Sequence, residues 1–242
     1  MNNKVARALL TTLYIGILAA DCIFILNRAG EYRLYTKPLL MPVLYILLAA
    51  QTTEAKHKAT RLLLILAIFL SFGGDLLLLY DGEPTNFIMG LISFLLAHVS
   101  YSLFFIRLKK VSVKRLAFII VMALIIASYM YLLLSYLWPG ISEQGYEVPV
   151  VFYAVSLGFM LLSALYTGTG TRILKVAYQN FIPGAILFVI SDSLLAIDKF
   201  GVIIGDSTAH LYTHMLYAIL IITTYAMAQL IIISGAIRII RK

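Results

Sequence analysis

Four ionisable side chains stand where the chain is otherwise apolar: Asp21, Asp75, His98 and Asp192. Charge within hydrocarbon is costly, so such residues mark substrate paths, proton relays or reaction centres, or else they pair to fix helix packing. Asp75 follows Ser71 by one helical turn on the same face, and Gly73-Gly74 beside it permits close helix approach. Asp192 lies between Ser191 and Ser193, two turns after Gly184-Ala185. His98 shares a helix face with Tyr101, three residues on. No such setting surrounds Asp21, which reads first as a packing contact. A metal must also be considered. His210 and His214 are four apart, and with His98 and an aspartate they would resemble the zinc site of an intramembrane hydrolase. Against this, there is no HExxH pair and His210 falls in an expected loop, so no metal and no other cofactor is expected. The sequence has no GxSxG, no phosphate-cradling glycine loop and no Cys/His dyad, which leaves serine or cysteine nucleophiles without support.

Helices that cross a membrane must position these residues. Of 242 residues, 62% are hydrophobic and only 12% charged, with a mean hydropathy of +0.97. A soluble domain of that composition could not cover its own surface. Disorder, collagen and a disulfide-stapled secreted fold are excluded as well. Hydropathy places eight spans, at 6–26, 38–51, 62–80, 86–106, 115–134, 149–167, 178–197 and 212–236. The expected fold class is all-α: a polytopic membrane protein of eight transmembrane helices, forming a single transmembrane domain over 1–242. With the N-terminus inside, the inside segments carry 15 Lys and Arg and the outside segments 4. That split predicts both termini in the cytoplasm. The net charge of +8 then reads as basic loops facing anionic lipid rather than as nucleic-acid binding. Lys4 and Arg7 before an apolar stretch resemble a signal peptide. Ala8 to Leu26 is nevertheless long enough to span and ends on no small-x-small site, so an uncleaved first helix is expected. Cys22 is single and can form no intrachain disulfide.

On this topology the three aspartates sit on outward-going helices, each about five residues, or roughly 7–8 Å, from the outer end. His98 lies near mid-membrane. Asp75 and Asp192 are expected to face one polar cavity opening toward the outer leaflet, with His98 at its floor. Three of the outside cations, Arg28, Arg33 and Lys37, share one short loop with Tyr32 and Tyr35. They serve either as interfacial anchors or as a phosphate or carboxylate site. Lys37 stands at the start of an expected helix, where a cation opposes the macrodipole and a bound anion would offset it.

These residues carry a resemblance. Lys37-Pro38-Leu39-Leu40-Met41-Pro42, Ser71-Phe72-Gly73-Gly74-Asp75, the run from Gly90 to Tyr101, and Gly184-Ala185 through Ser191-Asp192-Ser193 stand in an order similar to that of the YhhN family of integral membrane proteins. A closing run from Tyr225 to Ile231 also fits. Characterised members of that family are lysoplasmalogenases. The resemblance implies eight membrane helices and hydrolysis of the vinyl ether bond of lysoplasmalogens. The products would be a fatty aldehyde and glycerophosphoethanolamine or glycerophosphocholine. Lys37, Asp75, His98 and Asp192 match the family's polar motif residues.

That chemistry suits the residues. Protonating the β-carbon of a vinyl ether gives an oxocarbenium ion, to which water adds before the hemiacetal collapses. A strong acid, a negative group near the cation and a positioned water suffice, without a serine or a metal. Two buried carboxylates can divide these roles, as they do in glycosidases. On this reading Asp75 and Asp192 are catalytic, and Lys37, His98, Tyr101, Ser71 and Ser191 bind substrate. Lys37, Arg28 or Arg33 would hold the phosphate. The implied partners are a lysophospholipid substrate and membrane lipid, with no nucleic acid. Which aspartate is the acid stays open, as do the head group and the oligomeric state. Two other classes stay open beside it: a proton-coupled transporter or channel using the intramembrane aspartates, and a zinc-dependent, ceramidase-like hydrolase.

Overall fold

In a bilayer a spanning backbone must satisfy its own hydrogen bonds, so long apolar runs become helices. The computed structural model describes residues 3–52, 58–80, 83–108, 115–169, 173–201 and 207–241. It has eight helices long and apolar enough to cross a membrane, and no strand among the described residues. They are α1 (Asn3–Leu26), α2 (Gly30–Gln51), α3 (Lys58–Tyr80), α4 (Pro84–Arg107), α5 (Leu116–Glu143), α6 (Glu147–Thr167), α7 (Leu174–Phe200) and α8 (Ser207–Ile240).

Several ends lie beyond the expected ones, each for a physical reason. The second span, expected to start at residue 38, is helical from Gly30, in short 3-10 and α turns. Its cations look like a boundary in the sequence, but they turn inward to partners described below. Lys37 is therefore no longer at a helix start. The fifth helix runs through Pro139 to Glu143 rather than ending near 134. There Gly140 packs against α7 so closely that a Cβ would sit 2.2 Å from the Phe200 carbonyl oxygen. α1 ends on Arg28 in the left-handed region (φ 58°), with the Ala29 N–H bonded to the Phe24 carbonyl. That pairing closes a helix end in the manner usual for glycine.

α3 packs on α4, α4 on α6, α7 on α8, and α1 on α2 and α8. α8 also meets α2 and α3, which makes it the element shared by both halves of the interior. α5 leans on α6 and α7 and buries only Met130, Leu137 and Ile141, so most of it lies on the outside of the bundle. The approach of α3 to α4 uses Gly73-Gly74 as the sequence leads one to expect. A Cβ on Gly74 would lie 2.5 Å from the Phe94 ring. Near its start α7 widens into a π turn over Ala177–Phe181. Pro183 has no N–H for the Gln179 carbonyl, which accounts for the local loss of the regular ladder. Arg7 of α1, Arg238 of α8 and Arg241 just after it line one cavity, so α1 begins and α8 finishes at the same end of the bundle. That end is called the terminal end here; the opposite end carries the Gly30–Lys37 stretch.

Candidate active site

Asp75 and Asp192 are both buried, and each accepts a tyrosine hydroxyl. Around Asp75 the donors come from α2 and α8. Lys37 Nζ stands 3.8 Å from Asp75 Oδ1, and the Tyr225 hydroxyl donates to Oδ2 at 2.8 Å. One turn earlier on α3, Ser71 Oγ accepts from Gln229 Nε2 at 3.0 Å. The Tyr101 hydroxyl donates in turn to Gln229 Oε1. Tyr225 and Gln229 are four apart on α8, as Ser71 and Asp75 are on α3. Residues at that spacing share a face, so two adjacent helices meet as two matched polar pairs.

Around Asp192 the partners come from α4 and α6. The Tyr153 hydroxyl donates to Asp192 Oδ2 at 2.6 Å, and His98 Nε2 stands 3.5 Å from the same oxygen. The Ser156 hydroxyl donates to the Tyr153 carbonyl at 2.8 Å, so its oxygen is free to accept from His98 Nδ1 at 3.4 Å. The network thus assigns the imidazole proton to Nδ1. It leaves Nε2 a buried lone pair beside Asp192, without a hydrogen-bond partner among the described residues.

Aromatic rings join the two clusters. The Phe188 ring lies 5.0 Å from His98, 5.5 Å from Tyr225 and 6.4 Å from Tyr101, all edge-on. Phe94 meets Tyr225 at 5.8 Å. A cavity of about 50 Å³ is lined by Asp192, Tyr153, Phe94, Phe87 and Lys199, and Asp75 is not among its lining residues. The one polar cavity that the sequence leads one to expect is therefore divided, because Phe188 and Phe94 occupy the ground between the carboxylates. The space beside Asp192 suits a water molecule, whose share of liquid volume is about 30 Å³. A lipid chain needs the helices around it to part.

The other expected site residues have interior partners of their own. Ser71 and Tyr101 meet through Gln229, and Ser191 Oγ donates to the Ile221 carbonyl of α8 at 3.1 Å. His214 Nδ1 pairs with Asp198 at 2.6 Å near the surface. The last helix begins at Ser207, so His210 falls in a helix and not in the expected loop, while its side chain lies outside the described residues. Among the described residues no group of three His, Cys, Asp or Glu is placed to hold a metal ion.

Asp21 is fully buried and takes Thr36 Oγ1 at 2.6 Å and Arg33 Nε at 3.3 Å. Arg33 is one turn before Lys37, so Asp21 clamps the stretch that delivers Lys37 to Asp75. Asp21→Ala is expected to lower stability by about 1–3 kcal/mol, since it orphans a buried hydroxyl and a guanidinium. An unchanged melting temperature in the purified variant would show that the clamp carries no weight.

The model of the YhhN family matches residues 32–236 of the chain. The chain belongs to the YhhN family. Two curated relatives, from Mycobacterium bovis and Mycobacterium tuberculosis, are each named Lysoplasmalogenase. Each is 29% identical over 202 residues, covering 82% of this chain and 69% of the relative. No solved structure matches. In this YhhN protein Lys37, Asp75, His98, Asp192, Tyr225 and Gln229 all lie within the matched stretch, whereas Asp21 precedes it. Sequence reading assigns no role to Tyr153, Phe188, Tyr225 or Gln229. The paired i, i+4 spacing of Tyr225/Gln229 and Ser71/Asp75 is a usable signal for two of them. Tyr153 and Phe188 carry none.

Proposed function

We propose that this YhhN protein is an intramembrane hydrolase that cleaves the vinyl ether bond of a lysoplasmalogen to a fatty aldehyde and a glycerophospho-amine. The observation that carries this reading is the unequal setting of its two interior carboxylates. Lys37 Nζ lies 3.8 Å from Asp75 Oδ1, and a cation at that distance favours the charged carboxylate. Asp192 meets a neutral phenol and an imidazole lone pair instead. We assign Asp192 as the carboxylic acid and Asp75 as the carboxylate.

Asp192 gives its proton to the alkenyl carbon remote from the ether oxygen. The double-bond electrons form the new C–H bond, and the ether oxygen shares its lone pair to give an oxocarbenium ion. In this reading the Asp75 carboxylate is the preorganised negative group that stabilises that cation across the aromatic layer. Water beside His98 gives a proton to Nε2 as its oxygen bonds to the cationic carbon. The hemiacetal then collapses. Its C–O bond to glycerol breaks, the leaving oxygen takes the proton from His98, and the hemiacetal hydroxyl returns a proton to Asp192. The net change is addition of one water, with no metal in any step. The alkenyl chain lies among the apolar helices, and the phosphate stays at the end bearing Arg33 and Lys199. No nucleic acid takes part.

Purified protein in detergent, without any gradient, is expected to release aldehyde and glycerophospho-amine in equal amounts from a lysoplasmalogen, and nothing from an ester-linked lysophospholipid. Lipid that stays intact would sink the reading and favour transport. We also place both termini in the cytoplasm, from the Lys and Arg split. Reporter fusions at Glu83 and Glu143 should read outside, and those at Glu54 and Lys109 inside. The reverse pattern would invert the orientation.

A further inference from the structure

We propose that the terminal end of the bundle holds a site for the headgroup of a phospholipid carrying two phosphates, at the opposite end from the Gly30–Lys37 stretch. A cavity of about 1050 Å³ opens there. Five cations line it: Arg7 of α1, Arg107 at the end of α4, Lys175 at the start of α7, and Arg238 and Arg241 at the end of α8. No Asp or Glu is found among its described lining residues.

Basic residues at one rim of a membrane protein are ordinary topology signals, and helix C-termini favour them. Neither cause requires four helices to bring them to one concavity. Two of the guanidiniums are also held in position. Arg238 Nη1 donates to Asn180 Oδ1 at 3.2 Å and to Gln179 Oε1 at 3.4 Å. Arg241 Nη1 donates to Gln51 Oε1 at 3.4 Å. Side-chain amides orient a guanidinium without neutralising it, whereas a carboxylate would do both. Gln179 and Asn180 are presented by the π turn, a distortion that recurs at functional sites. The arrangement keeps its positive charge and points it inward.

The chemistry of the lining selects the ligand. Guanidinium forks match phosphate oxygens. Leu108, Val176, Ile237 and Ile240 share the same walls. A headgroup with its first methylenes fits such a mixed lining, while a free inorganic anion leaves the apolar part uncovered. A single phosphodiester brings one negative charge to five cations, and a lipid with two phosphates comes closer to balance. Basic pockets between membrane helices take such headgroups. Bound there, the lipid joins the first and last helices of the chain, so it raises the melting temperature by mass action.

The test is native mass spectrometry of delipidated protein with tetraoleoyl cardiolipin, dioleoyl phosphatidylglycerol and dioleoyl phosphatidylcholine, and with inorganic pyrophosphate as a soluble competitor. Cardiolipin should be retained at a concentration lower by roughly tenfold or more than phosphatidylcholine, with phosphatidylglycerol between. Removing two charges in Arg238→Gln/Arg241→Gln should weaken cardiolipin by roughly thirtyfold while aldehyde release persists. Arg107→Gln/Lys175→Gln, which leaves the amide contacts intact, should weaken it similarly and serves if the first variant does not fold. Equal retention of the three lipids, or retention untouched by a folded variant, overturns the site. Displacement of cardiolipin by an equal concentration of pyrophosphate overturns the lipid as its ligand and points to a soluble polyphosphate.

Discussion

Asp192→Asn is expected to give a folded protein that still binds lysoplasmalogen and releases almost no aldehyde. The amide keeps the shape of the side chain, and its oxygen still accepts the Tyr153 hydroxyl now 2.6 Å from Oδ2. The Tyr153 and His98 contacts are both at Oδ2, so one amide atom there can satisfy only one of them. With the oxygen kept at that position, the buried NH2 costs up to about 1–3 kcal/mol, and the melting temperature should fall modestly while the protein stays folded. What is lost is the proton. An amide cannot protonate an alkene carbon, so kcat should fall by about 10²–10⁴, the usual worth of general acid–base help. KM should change little, because the lost interaction belongs to the transition state and not to ground-state binding. Aldehyde release followed over a range of lysoplasmalogen concentrations separates the two constants. An Asn variant that folds and keeps kcat within a few-fold of the parent would remove Asp192 from the chemistry.

The helices were legible because a bilayer leaves an apolar run so few alternatives. Their ends were less so. Arg33, Lys37 and Pro38 read as a boundary, since sequence displays the charges but not their partners. Asp21 and Asp75 absorb two of those charges inside the bundle, and the helix starts earlier in consequence. Asp75, His98 and Asp192 stood out because charge in hydrocarbon is rare and costly. Their unequal settings were not visible. They come from Tyr153 and Lys37, which arrive from other helices. The divided interior was equally hidden, because Phe188 and Phe94 are two aromatic residues in a chain that is 12% aromatic. Nothing in their spacing says that they stand between the carboxylates. Tyr225 and Gln229 were the exception. Their spacing repeats that of Ser71 and Asp75, and a search for matched polar pairs on separate helices would find them.

Lys37→Met and Asp75→Asn, made singly and together, decide whether the ion pair serves folding or reaction. Lys37 is largely covered and Asp75 is buried, with 3.8 Å between their charged atoms. Removing one partner of such a pair leaves the other charge buried alone, at a cost of about 3–5 kcal/mol. Each single variant should therefore unfold at lower temperature. The double variant has no charge to strand, and replacing a buried pair by neutral groups is often neutral or stabilising. Its melting temperature should return close to that of the parent, and the gap between the double change and the sum of the singles measures the coupling. Aldehyde release should not return with it. With Asp75 gone, only the Asp192 carboxylate left by the proton transfer would oppose the oxocarbenium ion, so a stable protein should remain slow. Had Lys37 served only to grip the lipid phosphate, Lys37→Met would raise KM and leave both stability and kcat alone. Recovery of turnover in the double variant would show that Asp192 and His98 work without the Asp75 charge. The ion pair would then be a helix clamp of the same kind as Asp21 and Arg33.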